Sequence, residues 1–201
     1  MHPAFEAELA TINGELVQIT RLVGSAMNRA TQALLDADLT LAETVIAADA
    51  QIDTLASDIE ERCFHLIAAS TPAEDDLRVL IGGLRIATSL ERMGDLADHV
   101  AKQARLRYPR PSVPQELRGT FAEMGGLAEA IVSKTGSVIA LQDVALTADI
   151  ARHDAQVDAL RRVGAIATRL ADAQPGTAPG ARRAASPATR APSADVRPLP
   201  A

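Results

Sequence analysis

The sequence predicts an all-α protein, and three observations carry that prediction. Aromatic residues are nearly absent, with three Phe, one Tyr and no Trp, while Ala and Leu abound, a balance that favours close helix packing over sheet. Apolar residues recur three or four positions apart over long stretches instead of alternating. The stretches are divided by short breaks at Asp36-Ala37-Asp38 and Ser70-Thr71-Pro72 and by prolines at 109, 111 and 114. With 47% apolar residues in a chain of 201, there is enough material for a packed core.

The first stripe, Phe5, Leu9, Ile12, Leu16, Ile19, Leu22 or Val23, Met27 and Leu34, marks a long helix that begins near Pro3. A second runs through Leu41, Val45, Ala48, Ile52, Leu55, Ile59, Cys63 and Leu66. Thr71 can cap a third helix with Pro72 at its first position, and that helix extends from about Ala73 to Tyr108. Its expected inner face holds Val79, Ile86, Leu90, Met93, Ala97 and Val100. Three such helices with short joints form a bundle over residues 1–108, with a linker at 109–114. Two more helical patterns, Gln115–Leu141 and Val144–Leu170, form an incomplete second bundle over 115–172, the first of them weakened by Gly125, Gly126 and Gly136. From 173 to 201 an Ala/Pro/Arg-rich tail without apolar period is expected to be disordered.

The two parts differ in charge. Residues 161–201 carry seven Arg against two Asp, whereas the whole chain is at −6, so the body is strongly acidic. An acidic body argues against nucleic acid as a partner, because such binding depends on Lys and Arg neutralising phosphates. No uncharged apolar run is long enough for a membrane helix, and nothing resembles a signal peptide ahead of the first helix. A single Cys63 excludes an internal disulfide. A cytoplasmic location is expected, with any membrane association only through partners.

Asp38–Leu55 aligns without gaps on Asp143–Leu160, with seven of eighteen positions identical, and an Asp-Ala-Gln-x-Asp box occurs in both copies. These boxes place Asp49 with Asp53, and Asp154 with Asp158, four residues apart on one helix face. Glu91 and Asp95 make a similar pair in SLERMGDLADHV, with Asp98 and His99 continuing the polar surface. Carboxylates converging from adjacent helices repel one another unless a hard cation such as Mg, Mn, Fe or Ca neutralises them. The alternative is that acidic residues at this spacing form an ordinary solvated face. Arg78, Arg85 and Arg92 recur every seven residues beside these acids and fit ion pairing, since no Gly-rich loop accompanies them. Cys63 fits the apolar stripe of helix two, and His65, His99 and His153 fit boundary positions more readily than ligation. The absence of a Glu-x-x-His pair weakens a carboxylate-bridged metal oxidase.

The strings FEAELATI, ALLDADLTLAETVI, DAQID, TPAEDDLR, LRIATSLERMGDLADHVAK, RYP and DAQVDAL resemble the PhoU family over about residues 4 to 160, most specifically from Pro72 to Lys102. The resemblance implies tandem three-helix bundles, the second incomplete here, and a non-enzymatic role. It implies a metal cation, Fe, Mn, Zn or Mg, bound by Asp49, Asp53, Glu91 and Asp95, with Asp154 and Asp158 as half of a second site. It further implies a homodimeric negative regulator of the phosphate-starvation response, linking the ATPase subunit of the phosphate ABC transporter to a sensor histidine kinase. A metal-free helical interaction scaffold is the alternative.

Overall fold

The computed structural model describes residues 3–69, 72–141 and 150–158. Helix α1 spans Pro3–Asp36, α2 Leu39–Ala69, α3 Glu74–Arg107 and α4 Arg118–Leu141, with a 3-10 turn at Gln115–Leu117 and a helical segment over residues 150–158. The described residues contain no strand. Helices α1, α2 and α3 pack mutually, and α4 lies along a further side of α1, so α1 is the element that α2, α3 and α4 share.

The joint between α1 and α2 is built from two local devices. Ala37 turns through the left-handed region at φ 52°, and the Asp38 amide donates back to the Ala33 carbonyl at 3.1 Å, closing the end of α1. Asp38 then caps α2 by accepting from the Leu41 amide at 2.9 Å. Arg118 seals the same end of α1 from α4: its guanidinium donates to the Leu35 carbonyl and pairs with Asp36 at 2.9 Å, placing a cation against the negative end of the helix dipole.

Helix α3 starts at Glu74, so Pro72 precedes the helix instead of occupying its first position. Ala73 occupies the capping position without a side-chain bond, and Glu74, Asp75 and Asp76 instead face the positive end of the dipole. Ser70 and Thr71 lie outside the described residues.

The core holds the expected residues of α1 and α2, including Ile12, Leu16, Ile19, Val23, Val45, Ile52, Ile59, Cys63 and Leu66. On the inner face of α3, Leu90 and Ala97 are buried as expected and Ile86, Met93 and Val100 pack partly buried against the core, but Val79 does not. Val79 is 53% exposed, and the buried set is Leu80, Gly83, Ala87, Leu90, Gly94, Ala97, Asp98, Ala101 and Ala104. Small side chains let α3 approach closely: a methyl at Gly83 would make ordinary contact with Leu16, Cys63 and Ile12, and one at Gly94 would press on Ile52. Burial among these groups, with Glu15 and Glu60 nearby, pushes the Cys63 thiol pKa up, as suits a structural cysteine.

The glycines that weaken α4 as an isolated helix turn out to seat it. A methyl at Gly125 would overlap the Thr31 side chain, and one at Gly136 would overlap Thr20. Asn28 of α1 reaches Glu129 of α4 at 2.7 Å across the same contact. The expected fifth helix is represented by residues 150–158. Its remainder and the tail over 173–201 lie outside the described residues.

Candidate metal centre

The site follows from how α2 and α3 cross. A Cβ placed on Gly94 would sit 3.0 Å from Ile52 Cγ2 and 3.2 Å from Ile52 Cδ1, so the absence of a side chain at 94 is what allows the two backbones to meet there. Ile52 neighbours Asp53, and Gly94 neighbours Asp95. Close approach of the apolar pair therefore sets the carboxylates of the two helices beside each other.

Asp49, Asp53 and Asp95 each offer an oxygen within 4.8 Å of the others. Oxygens bound to one divalent cation at 2.0–2.6 Å are about 4–5 Å apart when they lie on opposite sides of it, so this spacing admits a shared ion. Asp98, one turn beyond Asp95, is only 3% exposed. Its Oδ2 accepts from the Lys102 ammonium, while its Oδ1 and the Oδ1 of Asp49 are buried without a hydrogen-bond partner. Buried carboxylate oxygens in this condition are costly unless a cation or donor satisfies them. Burial raises the Asp49 pKa, and the neighbouring Asp53, Asp98 and Asp95 raise it further, with Lys102 opposing them.

The donor set fits a hard, oxygen-seeking divalent ion: carboxylates only, one of them with a buried oxygen that has no partner, and a surplus of negative charge. Asp49, Asp53 and Asp95 would hold it, and the ion would supply the counter-charge that lets α2 and α3 stay together.

Of the residues singled out from the sequence, the structure brings together Asp49, Asp53 and Asp95. Glu91 sits half-buried one turn before Asp95, outside that group. Asp154 and Asp158 are exposed on the segment 150–158 and join no group of three potential ligands among the described residues. His65 and His99 are exposed, and His153 is half-buried. Arg78 pairs with Glu74 at 2.6 Å, whereas Arg85 and Arg92 line a groove between α2 and α3 with Glu60 and the exposed Phe64. Asp98 was legible only as surface. The signal that marks it as more is Lys102 four residues on, at the spacing of a helical ion pair.

The fold and the cluster define a helical bundle in which α2 and α3 meet at a group of carboxylates. Residues 16–104 match the PhoU domain. The chain is 40% identical over 162 residues to the phosphate-specific transport system accessory protein PhoU homolog 2 of Mycobacterium tuberculosis, covering 81% of this chain and 76% of the relative. It is 39% identical to PhoU homolog 1 of Mycobacterium leprae, covering 81% and 73%. Among solved structures it resembles the phosphate transport system regulatory protein PhoU of Streptococcus pneumoniae, with TM-score 0.73, 27% identity and coverage of 85% of this chain and 80% of that one. The PhoU structure from Pseudomonas aeruginosa gives TM-score 0.70 at 30% identity, covering 84% and 81%.

The chain belongs to the PhoU family. It is therefore an accessory, regulatory protein of phosphate transport and not an enzyme. No described helix is long and apolar enough to cross a membrane.

Proposed function

We propose that this chain is a cytoplasmic, metal-binding negative regulator of phosphate uptake. It holds a divalent cation between α2 and α3 and, as a homodimer, links the ATPase subunit of the phosphate ABC transporter to a sensor histidine kinase. The observation that carries the metal reading is the Asp49–Asp53–Asp95 group, with the buried Asp49 Oδ1 lacking a hydrogen-bond partner. The regulatory reading rests on the family. Asp154 and Asp158 would contribute half of a second site.

Two measurements test this. Elemental analysis of purified protein is expected to find Mn, Fe, Zn or Mg bound, and to lose it in the Asp49→Ala/Asp53→Ala variant. Equal metal content in both proteins refutes the site. In a bacterium lacking its own relative, the chain is expected to restore repression of a phosphate-starvation reporter in phosphate-rich medium. A folded, expressed chain that leaves the reporter fully active refutes the regulatory role.

A further inference from the structure

Beside the contact of α1 with α4 the two helices leave an open groove of about 570 Å³. It exists because the residues that border it are small: Gly24 and Ser25 on α1, Ser133 and Gly136 on α4. A cavity of this size suits a small-molecule ligand. Arg21 and Arg29 line the same groove, and neither has a hydrogen bond or ion pair to any described residue. The hydroxyls of Ser25 and Ser133 are equally without partners among the described residues. Glu129, the one acid in the described lining, is already engaged, because Asn28 Nδ2 donates to it at 2.7 Å. Two arginines against one glutamate give the groove a net positive charge in a chain at −6.

We propose that the groove between α1 and α4 binds a short oligophosphate, an anion of several linked phosphoryl groups, gripped along its length by Arg21 and Arg29. The inference goes beyond the metal reading and does not depend on it. Guanidinium forks match phosphoryl oxygens, and they are strongest where no carboxylate already occupies them. Arg21 and Arg29 are eight residues apart, about 12 Å along α1, so a single phosphate meets only one of them, whereas a chain of phosphoryl groups meets both. Between the two arginines the groove offers hydroxyl donors, which suit the oxygens of a phosphate chain better than the apolar middle of a dicarboxylate. No aromatic ring is among the described lining residues, so a nucleobase has nothing to stack on and adds little affinity. A ligand seated here touches α1 and α4 together.

The test uses the full chain in magnesium-free buffer at physiological ionic strength, with inorganic tripolyphosphate as the probe. Calorimetric titration is expected to show saturable binding to wild type and roughly hundredfold weaker binding to Arg21→Gln/Arg29→Gln, since two charge-assisted contacts are lost. Ser133→Phe fills the groove without altering charge and is expected to bind at least about tenfold more weakly. Arg107→Gln, which removes an exposed arginine at the end of α3, binds as wild type does. Asp49→Ala/Asp53→Ala also keeps wild-type affinity, which separates this groove from the carboxylate cluster. A wild-type protein that does not bind tripolyphosphate overturns the proposal and leaves the metal reading untouched. Unchanged binding in the double arginine variant or in Ser133→Phe, or an equal loss in Arg107→Gln, overturns the groove as the place of binding. Inorganic phosphate binding as tightly as tripolyphosphate overturns the oligophosphate class, and ATP binding more tightly overturns the exclusion of a base.

Discussion

Replacing Gly94 by Ala puts a methyl where α2 and α3 touch. In an unobstructed helix interior, Gly→Ala adds roughly 1 kcal/mol of stability through helix propensity. Gly14 and Gly82 provide that reference within this chain, because a methyl at either meets nothing within 4 Å. At Gly94 the same methyl falls 3.0 Å from Ile52 Cγ2, 3.2 Å from Cδ1 and 3.6 Å from Cβ, and a β-branched side chain has little freedom to retreat. Overpacking of this kind costs roughly 1–3 kcal/mol, which offsets the propensity gain and leaves a net loss of about 1 kcal/mol. Urea denaturation of the metal-free proteins should therefore separate Gly94→Ala from Gly14→Ala and Gly82→Ala by about 2 kcal/mol. Forcing the helices apart should also weaken Mn2+ binding, because Asp53 and Asp95 flank the contact. If Gly94→Ala is stabilised like the two controls and binds Mn2+ as wild type does, the crossing does not depend on the missing side chain and the account of how the site is assembled is wrong.

Three further outcomes are expected. The raised pKa of Asp49 means that the folded protein binds this proton more tightly than the unfolded chain does. Its contribution is fully present below the ordinary aspartate value and is lost as pH rises through the folded one. Metal-free wild type should thus gain stability on acidification from neutral pH, a gain that Asp49→Asn flattens, and parallel melting profiles for the two proteins would contradict it. Ala37→Gly relieves a left-handed residue at φ 52° and should add about 0.5–1 kcal/mol, read by urea denaturation, with an unchanged or lower midpoint as the refuting result. Gly136→Ala should cost roughly 1–3 kcal/mol by driving a methyl into Thr20, and the double variant with Thr20→Ala should recover much of it. Additive losses would show that the two positions are not in contact.

Helix existence was legible because the apolar stripes of α1 and α2 are long and made of large residues. Those stripes are the ones the structure buries. The expected face of α3 holds at Leu90 and Ala97 and fails at Val79 for a physical reason: hydropathy draws attention to Val79, whereas close packing also selects Gly83, Ala87 and Gly94, whose small size carries little hydropathic signal. The same blindness applied to Gly125 and Gly136, which look like breaks in a helix until the threonines they face are known. Within the cluster, the four-residue spacing singled out Asp49 with Asp53 and Glu91 with Asp95, of which the structure brings Asp49, Asp53 and Asp95 together. It could not say that Asp98 points inward, because charge alone implies solvent unless a partner such as Lys102 is considered with it.

Helix α1 lies against α2, α3 and α4 alike. The same placement makes α1 a partition. The acidic cluster sits between α2 and α3, while α4 docks on another side of α1, at Thr20, Gly24, Asn28 and Thr31. A force applied to α4 is therefore passed toward the cluster through its packing on α1.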